Sequence, residues 1–437
     1  MNSSIFSRRS FAPVVVLFLS LVSTFPPVFA QTAPDSSARQ PDPRIGETLD
    51  QLARVRNFRQ TALSPDGRQI AWVVDTTGGG TEIQLAGLQN PAETRPITAV
   101  PGRSASCEEG DVSWSPDGKL LAFLSNCQTS HQFQIYVAAV DGKEVPPQKS
   151  QLSGIVQALQ WSPDGKNIGF LYVENATRRA GALDAMKPPS GVIGEDGVEI
   201  QHAAAVSAAT GLLQILTPAN LHVYEFDWSP DSKSLAYIAA QPPGENNWWV
   251  AQLYTQQVGS SDPTSILDPA HTTSPLHGLQ IAVPRWSPDG KYIALIGGLM
   301  SDQGSTGGDL YLLPAAGGEP RPVTLTTNRN STPVWLYWKD AKTLGVSLVK
   351  SGNSAFTYVA VPSGQDGKLE FDLPATVDDG RLEGSLSFAA NGEVAQIRTS
   401  WSQAPEVFVG KFGGEFRQVT HVNDALKPSW GKAESVT

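Results

Sequence analysis

The sequence has few of the side chains on which catalytic and metal sites usually depend. Its 437 residues include two cysteines and six histidines, and the patterns His-Glu-x-x-His, Cys-x-x-Cys and Gly-x-Ser-x-Gly do not occur. A Gly-x-x-x-x-Gly-Lys-Ser/Thr phosphate loop is also missing. These absences argue against zinc hydrolases, P-loop enzymes and serine hydrolases with a nucleophile elbow. The sequence itself predicts no catalytic residue, no metal site and no cofactor.

Charged residues are scarce as well, at 17%, and the formal net charge is −10. No cluster of Lys and Arg interrupts this acidic chain, which argues against a nucleic acid or an anionic membrane as partner. Long hydrophobic runs are missing after the first 30 residues. No membrane span is therefore predicted once those residues have been removed.

The first 30 residues have the order of an export signal. A short basic stretch, Met1–Ser10, precedes an apolar stretch, Phe11–Phe25, and a small-residue cleavage pattern follows. The pair Arg8-Arg9 resembles a twin-arginine signal, although paired arginines also occur in ordinary signals. We expect residues 1–30 to be cleaved on export to the periplasm or the extracellular space, by one of these two routes.

Two further segments separate this signal from the rest of the chain. Residues 31–44 are rich in Pro, Ser and other polar residues, and we expect a flexible linker there. Residues 45–60 are predicted to form a short N-terminal helical segment, because apolar residues recur at helical spacing. This stripe, which another surface must cover, consists of Ile45, Leu49, Leu52, Val55 and Phe58.

Turn-forming residues are abundant, with 40 Gly and 33 Pro, and many of them belong to one repeated motif, Ser-Pro-Asp-Gly. In such a turn Pro presets the backbone, Asp accepts backbone N–H groups and Gly takes the left-handed position. We therefore interpret the recurring Asp as a turn residue rather than a cation ligand. The motif occurs in intact or decayed form seven times. We call the apolar or aromatic residue at the start of each copy its anchor; the anchors are Leu63, Trp114, Trp161, Trp228, Trp286, Tyr337 and Phe388.

Each copy lies between short apolar strands, and the plan of four strands repeats about every 50 residues, as in propeller blades. The sequence thus predicts an all-β fold, a seven-bladed β-propeller of four-stranded blades over residues 61–437, preceded by the short helix. Strands that are apolar on both faces fit this fold, because each blade packs between two neighbours.

The two cysteines, Cys107 and Cys127, both fall in the second repeat. If Ser115 pairs with Lys119 across the turn, opposed residues have numbers that sum to 234, and the cysteines satisfy this sum. Opposed Cβ atoms lie about 4.5–5.5 Å apart, which a disulfide can bridge. In an exported protein we predict this disulfide. Two free thiols, or a bulge that shifts the register, are the alternatives.

The third repeat contains a long insertion, Glu174–Gly197, and long loops in compact repeats often carry function. We take Glu174, Arg178 and Arg179 as candidate substrate-binding residues, since Arg can bind a carboxylate through two N–H groups. A solvated loop is the alternative. The pair Glu108-Glu109 is interpreted as part of a solvated loop, with amine binding as the alternative.

The Trp-Ser-Pro-Asp-Gly repeats resemble two groups of proteins. One is the periplasmic TolB-like propeller of the Tol-Pal envelope system. The other is the N-terminal propeller of prolyl-oligopeptidase-type serine peptidases, especially their bacterial dipeptidyl- and acylaminoacyl-peptidase branch. Three stretches favour the peptidases over about residues 45–437: Ile45–Phe58 running into Ala62–Trp72, the blade-three stretch Arg178–Glu199, and the last blade, Pro405–Asn423.

In that family an α/β-hydrolase domain with a Ser-Asp-His triad follows the propeller. The sequence ends at Thr437, about where that domain is expected to begin, so the resemblance places no triad residue here. It implies a non-catalytic propeller that gates and contacts peptide substrates, with a separate hydrolase domain packing on Ile45–Phe58. The paired-Glu motif of dipeptidyl peptidases has no match. The alternative is a stand-alone TolB-like propeller that serves as a periplasmic protein-interaction scaffold.

Overall fold

The computed structural model describes residues 43–128, 132–142, 144–176, 199–241, 243–299, 307–361 and 363–426. Contacts between Cα atoms divide the chain into two units, Met1–Glu47 and Thr48–Thr437. The second unit contains seven antiparallel sheets that follow one another along the chain. The predicted seven-bladed propeller is therefore confirmed.

Each blade is built from one continuous stretch of sequence. Blade 1 consists of β1 (Phe58–Leu63), β2 (Gln69–Asp75), β3 (Thr81–Gly87) and β4 (Asn90–Ile97). Blade 2 consists of β5 (Glu109–Trp114), β6 (Leu120–Ser125) and β7 (Gln134–Ala139), and a bridge between Tyr136 and Gln148 takes the place of a fourth strand. Blade 3 consists of β8 (Gly154–Trp161), β9 (Asn167–Glu174), β10 (His202–Ser207) and β11 (Leu213–Ile215).

The remaining blades follow the same order. Blade 4 consists of β12 (His222–Trp228), β13 (Ser234–Ala240), β14 (Gln252–Gln257) and β15 (Thr264–Leu267), with a 3-10 helix, Glu245–Val250, before β14. Blade 5 consists of β16 (Gln280–Trp286), β17 (Tyr292–Gly298), β18 (Asp309–Pro314) and β19 (Arg321–Pro322). Blade 6 consists of β20 (Thr332–Asp340), β21 (Thr343–Lys350), β22 (Asn353–Ala360), β23 (Gln365–Asp366) and β24 (Phe371–Leu373). Blade 7 consists of β25 (Thr376–Asp378), β26 (Ser387–Phe388), β27 (Val394–Ser400), β28 (Gln403–Gly410) and β29 (Phe416–Gln418).

The N-terminal helix, α1 (Pro43–Leu52), is shorter than the helical segment predicted over residues 45–60. Phe58, the last residue of the predicted stripe, is instead the first residue of β1. Its side chain is buried in the core that blades 1 and 7 share. Tertiary packing of Phe58 therefore outweighs the local helical pattern.

The Ser-Pro-Asp turns owe their shape to their own side chains. In all five intact copies the Ser hydroxyl donates to the Asp carboxylate at 2.7 Å, and the same carboxylate accepts the N–H two residues later. This confirms that the Asp stabilises the turn. The left-handed turn position is taken by Gly in four copies, whereas Ser232, with φ of 61°, takes it in the fourth copy along the chain.

Anchor tryptophans connect neighbouring blades. The Nε1 groups of Trp114 and Trp161 donate to the backbone carbonyls of Ala62 and Ser113, at 3.1 and 2.9 Å. The corresponding Nε1 of Trp228 is buried and has no hydrogen-bond partner among the residues that the structure describes. The repeat thus supplies the turn of each blade, and in some copies its tryptophan also supplies a polar contact to the preceding blade.

The disulfide between Cys107 and Cys127 is present, with the two Cα atoms 5.1 Å apart. The register used to predict it is wrong near the turn, because the N–H of Ser115 bonds Leu120 rather than pairing Ser115 with Lys119. Opposed residues there have numbers that sum to 235.

A bulge in β5 between Gly110 and Ser113 corrects this offset. It adds one residue to β5, so that Glu109 faces Ser125 and the sum returns to 234. The turn is thus one residue longer than expected, which raises the sum by one, and the bulge in β5 lowers the sum by one. The two deviations cancel at the cysteines.

Among the described strands, none is exchanged between the first and last blades, and side chains and loops connect these two blades. The N–H and C=O groups of Arg56 both bond the side-chain amide of Asn423, at 3.0 and 2.9 Å. The N–H of Thr61 donates to the carbonyl of Asp379 at 2.8 Å. These contacts connect blade 1 to blade 7 at the seam.

The two ends of the propeller differ in the connections that they carry. The Ser-Pro-Asp turns join first and second strands at one end, which we call the lower face. The loops between second and third strands lie at the opposite end, the upper face. Because four antiparallel strands return the chain to its starting side, the chain enters and leaves every blade on the upper face.

Candidate functional site

The first strand of every blade lines the propeller axis, and all seven of these strands are irregular. In blades 1 to 6 a register shift interrupts the pairing of first and second strands. In blade 7 the first strand is split into β25 and β26 by residues 379–386, which we call the axial loop. Bulges re-aim side chains and are common next to functional sites.

These irregular strands surround a cavity of about 1150 Å³. Because loops between second and third strands, such as Thr76–Gly80, form part of its wall, the cavity opens on the upper face. All seven blades contribute to it, through Gln60, Asp111, Gln157, Asp227, Arg285, Trp335 and Asp379 among others.

Carboxylates on this wall are held by backbone N–H groups of the following blade. Asp111 in blade 2 accepts the N–H of Leu159 at 3.1 Å. Glu225 in blade 4 accepts the N–H of Val283 at 2.7 Å. Such bonds fix each carboxylate in place and cross one blade boundary each.

Asp227, also in blade 4, accepts the N–H of Trp286 at 2.8 Å and the side-chain amide of Gln160 at 3.0 Å. Gln60 in blade 1 occupies the same strand position as Asp111 and Glu225, three residues before its anchor, and contacts the next blade with an uncharged group. Its side-chain amide both donates to and accepts from the backbone of Val112, at 2.7 Å each. The same strand position therefore joins successive blades whether or not it is charged.

Burial raises the pKa of Asp111 and of Asp379, and the guanidinium of Arg381 opposes that rise in both. Burial likewise raises the pKa of Glu225 and of Asp227, with Arg285 as the opposing charge. The positive charges of these two arginines thus favour the ionised form of the four acids, against the effect of burial.

Those two arginines are held by backbone carbonyls. Arg285 donates to Pro284 at 2.8 Å, and Arg381 donates to Leu159 at 3.0 Å. Among the residues that the structure describes, neither forms an ion pair with a carboxylate. Four carboxylates against two guanidinium groups give this part of the wall a formal charge of −2.

The acidic side chain of Asp378 lies next to the axial loop. Burial raises its pKa to about 6, although the N–H of Gly380 donates to it at 2.9 Å; the neighbouring acids Asp379 and Glu383 raise it further. Gly380 itself has φ of 87°, and a Cβ atom there would lie 2.2 Å from the carbonyl oxygen of Arg59. Only glycine allows the loop to approach blade 1 this closely.

Two of the first strands contain a residue that has left-handed backbone dihedral angles although it is neither Gly nor Asn or Asp. Ala158 has φ of 60° and Val283 has φ of 55°. This conformation is costly for a β-branched residue, by about 1–3 kcal/mol. The bond from Val283 to Glu225 helps to hold it, so the geometry of the wall depends on contacts between blades.

An aromatic stack forms another part of the wall. Trp335 and Phe388 both line the cavity, and their rings are nearly parallel, with centroids 6.3 Å apart. Tyr337 stacks on Phe388 at 4.1 Å. The cavity therefore combines a charged side with a flat apolar side.

Of the three binding residues proposed from the sequence, the structure describes Glu174 alone. Glu174 is the last residue of β9, is exposed and faces Gly154 across the sheet, on the upper face but outside the described lining of the cavity. Arg178 and Arg179 lie outside the described residues. The interpretation of Glu108-Glu109 as a solvated loop holds for Glu108, which is exposed, and is wrong for Glu109.

Glu109 is 1% exposed because the loop before β5 folds back onto blade 1. Its carboxylate accepts the N–H of Ala99 at 2.7 Å and lies 3.4 Å from Nε of Arg103. Burial raises the pKa of Glu109, against the hydrogen bonds and the charge of Arg103. This acid stabilises the loop and is not available to bind an amine from solution.

Sequence reasoning missed the axial residues, but a signal for them exists. Asp111 and Glu225 both lie three positions before an anchor tryptophan, and Asp227 and Arg285 both lie one position before one. Polar residues at these offsets interrupt strands that are otherwise apolar. A polar side chain at a fixed offset in a buried strand suggests a shared polar axis.

The upper and lower faces also differ in polarity. Most exposed large apolar side chains of the described propeller lie on the upper face; the exceptions are a group at the lower, outer edge of blades 2 and 3, in or next to the connections between third and fourth strands. Those on the upper face include Leu299, 78% exposed, and Trp401, 76% exposed. On the lower face, by contrast, each intact turn pairs its Asp with a following Lys or Arg.

A second cavity, of about 760 Å³, lies on the upper face between the turns of blades 6 and 7. Its wall is mainly apolar. Residues that line it include Leu52, Val55, Leu348, Phe371, Trp401 and Pro405.

In the described ranges, no group of three or more His, Cys, Asp or Glu side chains is placed to hold a metal ion. The helices in those ranges include none that is both long and apolar enough to cross a membrane.

Comparison with known proteins gives relatives that are peptidases. No family model matches the chain. An uncharacterized peptidase, YuxL, of Bacillus subtilis is 27% identical over 121 residues, which cover 28% of this chain and 18% of that protein. Dipeptidyl-peptidase 5 of Porphyromonas gingivalis is 25% identical over 157 residues, which cover 34% of this chain and 20% of that protein.

Solved structures share the fold at lower identity. Puromycin hydrolase matches with a TM-score of 0.57 and 16% identity, over 84% of this chain and 54% of its own. The β-propeller domain of the Trilobed protease from Pyrococcus furiosus matches with a TM-score of 0.55 and 14% identity, over 85% of this chain and 99% of that domain. Oligogalacturonate lyase in complex with manganese matches with a TM-score of 0.54 and 14% identity, over 87% of this chain and 88% of the lyase.

The fold is thus a seven-bladed propeller that this chain shares with peptidases and with a lyase. The resemblance expected from the repeats, to propellers of prolyl-oligopeptidase-type peptidases, is confirmed at the level of the fold. The segments matched in the curated relatives cover about a fifth of each relative, and the chain spans about half of puromycin hydrolase.

Proposed function

We propose that this chain is the non-catalytic propeller of an exported peptidase of the prolyl-oligopeptidase type. In this proposal the axial cavity receives peptide substrates and limits which of them reach an α/β-hydrolase domain docked on the upper face. The difference between the two faces supports it. The cavity, the entry and exit of the chain and most of the exposed apolar side chains lie on one face, and charged turns occupy the other.

The cavity itself is suited to binding rather than to hydrolysis. A nucleophilic serine needs a base within hydrogen-bond reach and access to substrate. No histidine lines the cavity in the described part of the chain. Ser385 on its wall is 2% exposed, and its hydroxyl is bonded to Asp379 and to the carbonyl of Leu382.

The lyase fold match does not change this proposal, because one fold hosts many activities. Oligogalacturonate is a polyanion, and a cavity wall on which carboxylates outnumber guanidinium groups disfavours a polyanionic ligand. A peptide, with apolar and polar groups in alternation, fits a cavity that has an aromatic side and a polar side.

Labelling of the purified chain, residues 31–437, with a fluorophosphonate serine-hydrolase probe tests the absence of catalysis. We expect no adduct. An adduct at a defined serine would show that the chain is itself a hydrolase and would sink this part of the proposal.

Docking needs a separate test, which begins with a search of the neighbouring genes for an α/β-hydrolase protein that carries Gly-x-Ser-x-Gly; the absence of such a gene would favour a stand-alone interaction scaffold. We expect this chain to bind the hydrolase and to reduce its cleavage of long peptides more than of short ones. Leu52→Glu on the upper face should weaken binding, whereas Leu213→Glu, on the outer edge of blade 3, should not. Equal effects of both variants, or no change in length selectivity, would favour a stand-alone interaction scaffold.

A further inference from the structure

The axial loop, residues 379–386, makes contacts all around the propeller axis. Its first residue, Asp379, accepts the N–H of Thr61 in blade 1. The carbonyl of Gly384 accepts the hydroxyl of Ser347 in blade 6 at 2.6 Å. The loop is therefore anchored to the two neighbours of blade 7, on either side of the position from which Arg381 projects.

Arg381 reaches across the axis. It belongs to blade 7, and its guanidinium donates to the carbonyl of Leu159 in blade 3 at 3.0 Å. Three steps around a ring of seven blades is the largest separation that the ring allows. The side chain thus forms a bar over the axis within the acidic part of the cavity.

This bar is held weakly, while its surroundings are held firmly. Within the described residues, the side chain of Arg381 makes one hydrogen bond and no ion pair. Asp111 keeps its place without Arg381, since it accepts the N–H of Leu159. Asp379 accepts the N–H of Arg381 itself at 3.0 Å, a backbone bond that does not need the guanidinium.

The guanidinium lowers the pKa of both carboxylates against the rise caused by burial, so it already serves as their cation. An intramolecular guanidinium in an acid-lined cavity shows which ligand chemistry the site accepts. A second cation of the same kind can replace it without any movement of the two acids.

We propose that Arg381 is a latch across the propeller axis, displaced by the basic side chain of an incoming peptide, which takes its place between Asp111 and Asp379. The proposal rests on the proposed function, because it assumes that peptides enter the cavity. It adds the substrate class, peptides with an Arg or Lys side chain, and the residue that controls their entry.

Calorimetric titration of residues 31–437 tests the latch without any hydrolase. The probe is acetyl-Ala-Arg-Ala-amide, whose only charge is the guanidinium, and the matched control is acetyl-Ala-Gln-Ala-amide. We expect binding of the Arg peptide alone. Arg381→Ala should tighten this binding about tenfold, the factor for a site that is open in about a tenth of the molecules. Asp111→Asn, which keeps an acceptor for Leu159, should weaken it at least as much.

Arg59→Ala is the matched control variant, because Arg59 also lines the cavity but is paired with Asp75 at 2.7 Å. It removes the same charge without removing a bar, so we expect less than a twofold change. If Arg381→Ala does not fold, Arg381→Gln carries the test, with melting temperatures as the check.

Weaker or unchanged binding in the Arg381 variants would overturn the latch, as would an equal effect of Arg59→Ala or equal binding of the Gln peptide. If no variant binds either peptide, the latch proposal fails. Docking of a hydrolase on the upper face is measured separately and would stand.

Discussion

The disulfide between Cys107 and Cys127 should control one rim of the axial cavity. The loop that leads into Cys107 lies along the turn between β2 and β3. There the N–H groups of Gly80 and Thr81 donate to the backbone carbonyls of Ala105 and Cys107, at 3.1 and 3.2 Å. A Cβ atom at Gly80 would lie 2.1 Å from the carbonyl oxygen of Cys107. The sulfur bridge ties this closely packed loop to the end of β6.

The expected magnitude follows from the size of the closed loop. The cysteines are 20 residues apart. In the chain-entropy model, a loop of this length corresponds to about 3 kcal/mol at 25 °C. Replacing both cysteines by serine should therefore lower the free energy of unfolding by about 3 kcal/mol. Urea denaturation of the oxidised protein and of the double variant measures this difference.

A local readout separates loop release from global unfolding. The side chain of Arg103 is only 13% exposed and lies beside Glu109, so trypsin should not cut after it in the oxidised protein. In the double variant we expect cleavage after Arg103 to precede other cuts, and reduction with a dithiol should have the same effect. Glu109→Gln, which keeps the disulfide, is the control and should stay resistant.

The reasoning would be refuted by a loss of less than about 1 kcal/mol, well below the range given by the entropic model. Unchanged resistance of Arg103 after reduction would also refute it, because the loop would then be held by its backbone bonds alone.

Three further outcomes can be measured by thermal or urea denaturation. Trp161→Phe should cost about 1 kcal/mol more than Trp228→Phe, since only the first loses a hydrogen bond; equal losses would contradict the role of Nε1 between blades. Gly380→Ala should destabilise by several times the ~1 kcal/mol expected for Gly392→Ala. Both glycines have positive φ, but only Gly380 is crowded by backbone, and similar losses would show that the axial loop can shift. The pKa of Asp378 is raised to about 6 from 3.8, so its contribution to stability is present below 3.8 and lost as pH rises through 6. Asp378→Asn should therefore raise the melting temperature at pH 7 to 8 and leave it unchanged at pH 4; a gain at pH 4 of the same size would contradict this assignment.

The blades could be predicted from the sequence because their turns depend on local chemistry. The hydrogen bonds of a Ser-Pro-Asp turn join residues within six positions, as between Ser64 and Gln69. Even the decayed copies at Tyr337 and Phe388 retain the spacing that the fold requires. The disulfide was predicted for the same local reason, although two register deviations had to cancel.

The axial site could not be assembled in this way, because its parts come from different blades. Asp111, Asp227 and Arg381 meet only after the ring has closed. Their offsets from the anchors could have indicated an inward direction, but not the contact of Arg381 with blade 3. The extent of α1 was also beyond local pattern, since burial of Phe58 in a core shared with blade 7 decides it.

In the part of the chain that the structure describes, the first and last blades share no strand, and this has a consequence for how the protein is made. When a ring closes by strand exchange, the first sheet keeps an open edge until the last residues have been synthesised. Here blade 1 can complete its four strands while most of the chain has yet to emerge, which shortens the time that an unpaired edge is available for aggregation. The final event is then the meeting of two finished sheets, held by the bonds of Arg56 with Asn423 and of Thr61 with Asp379.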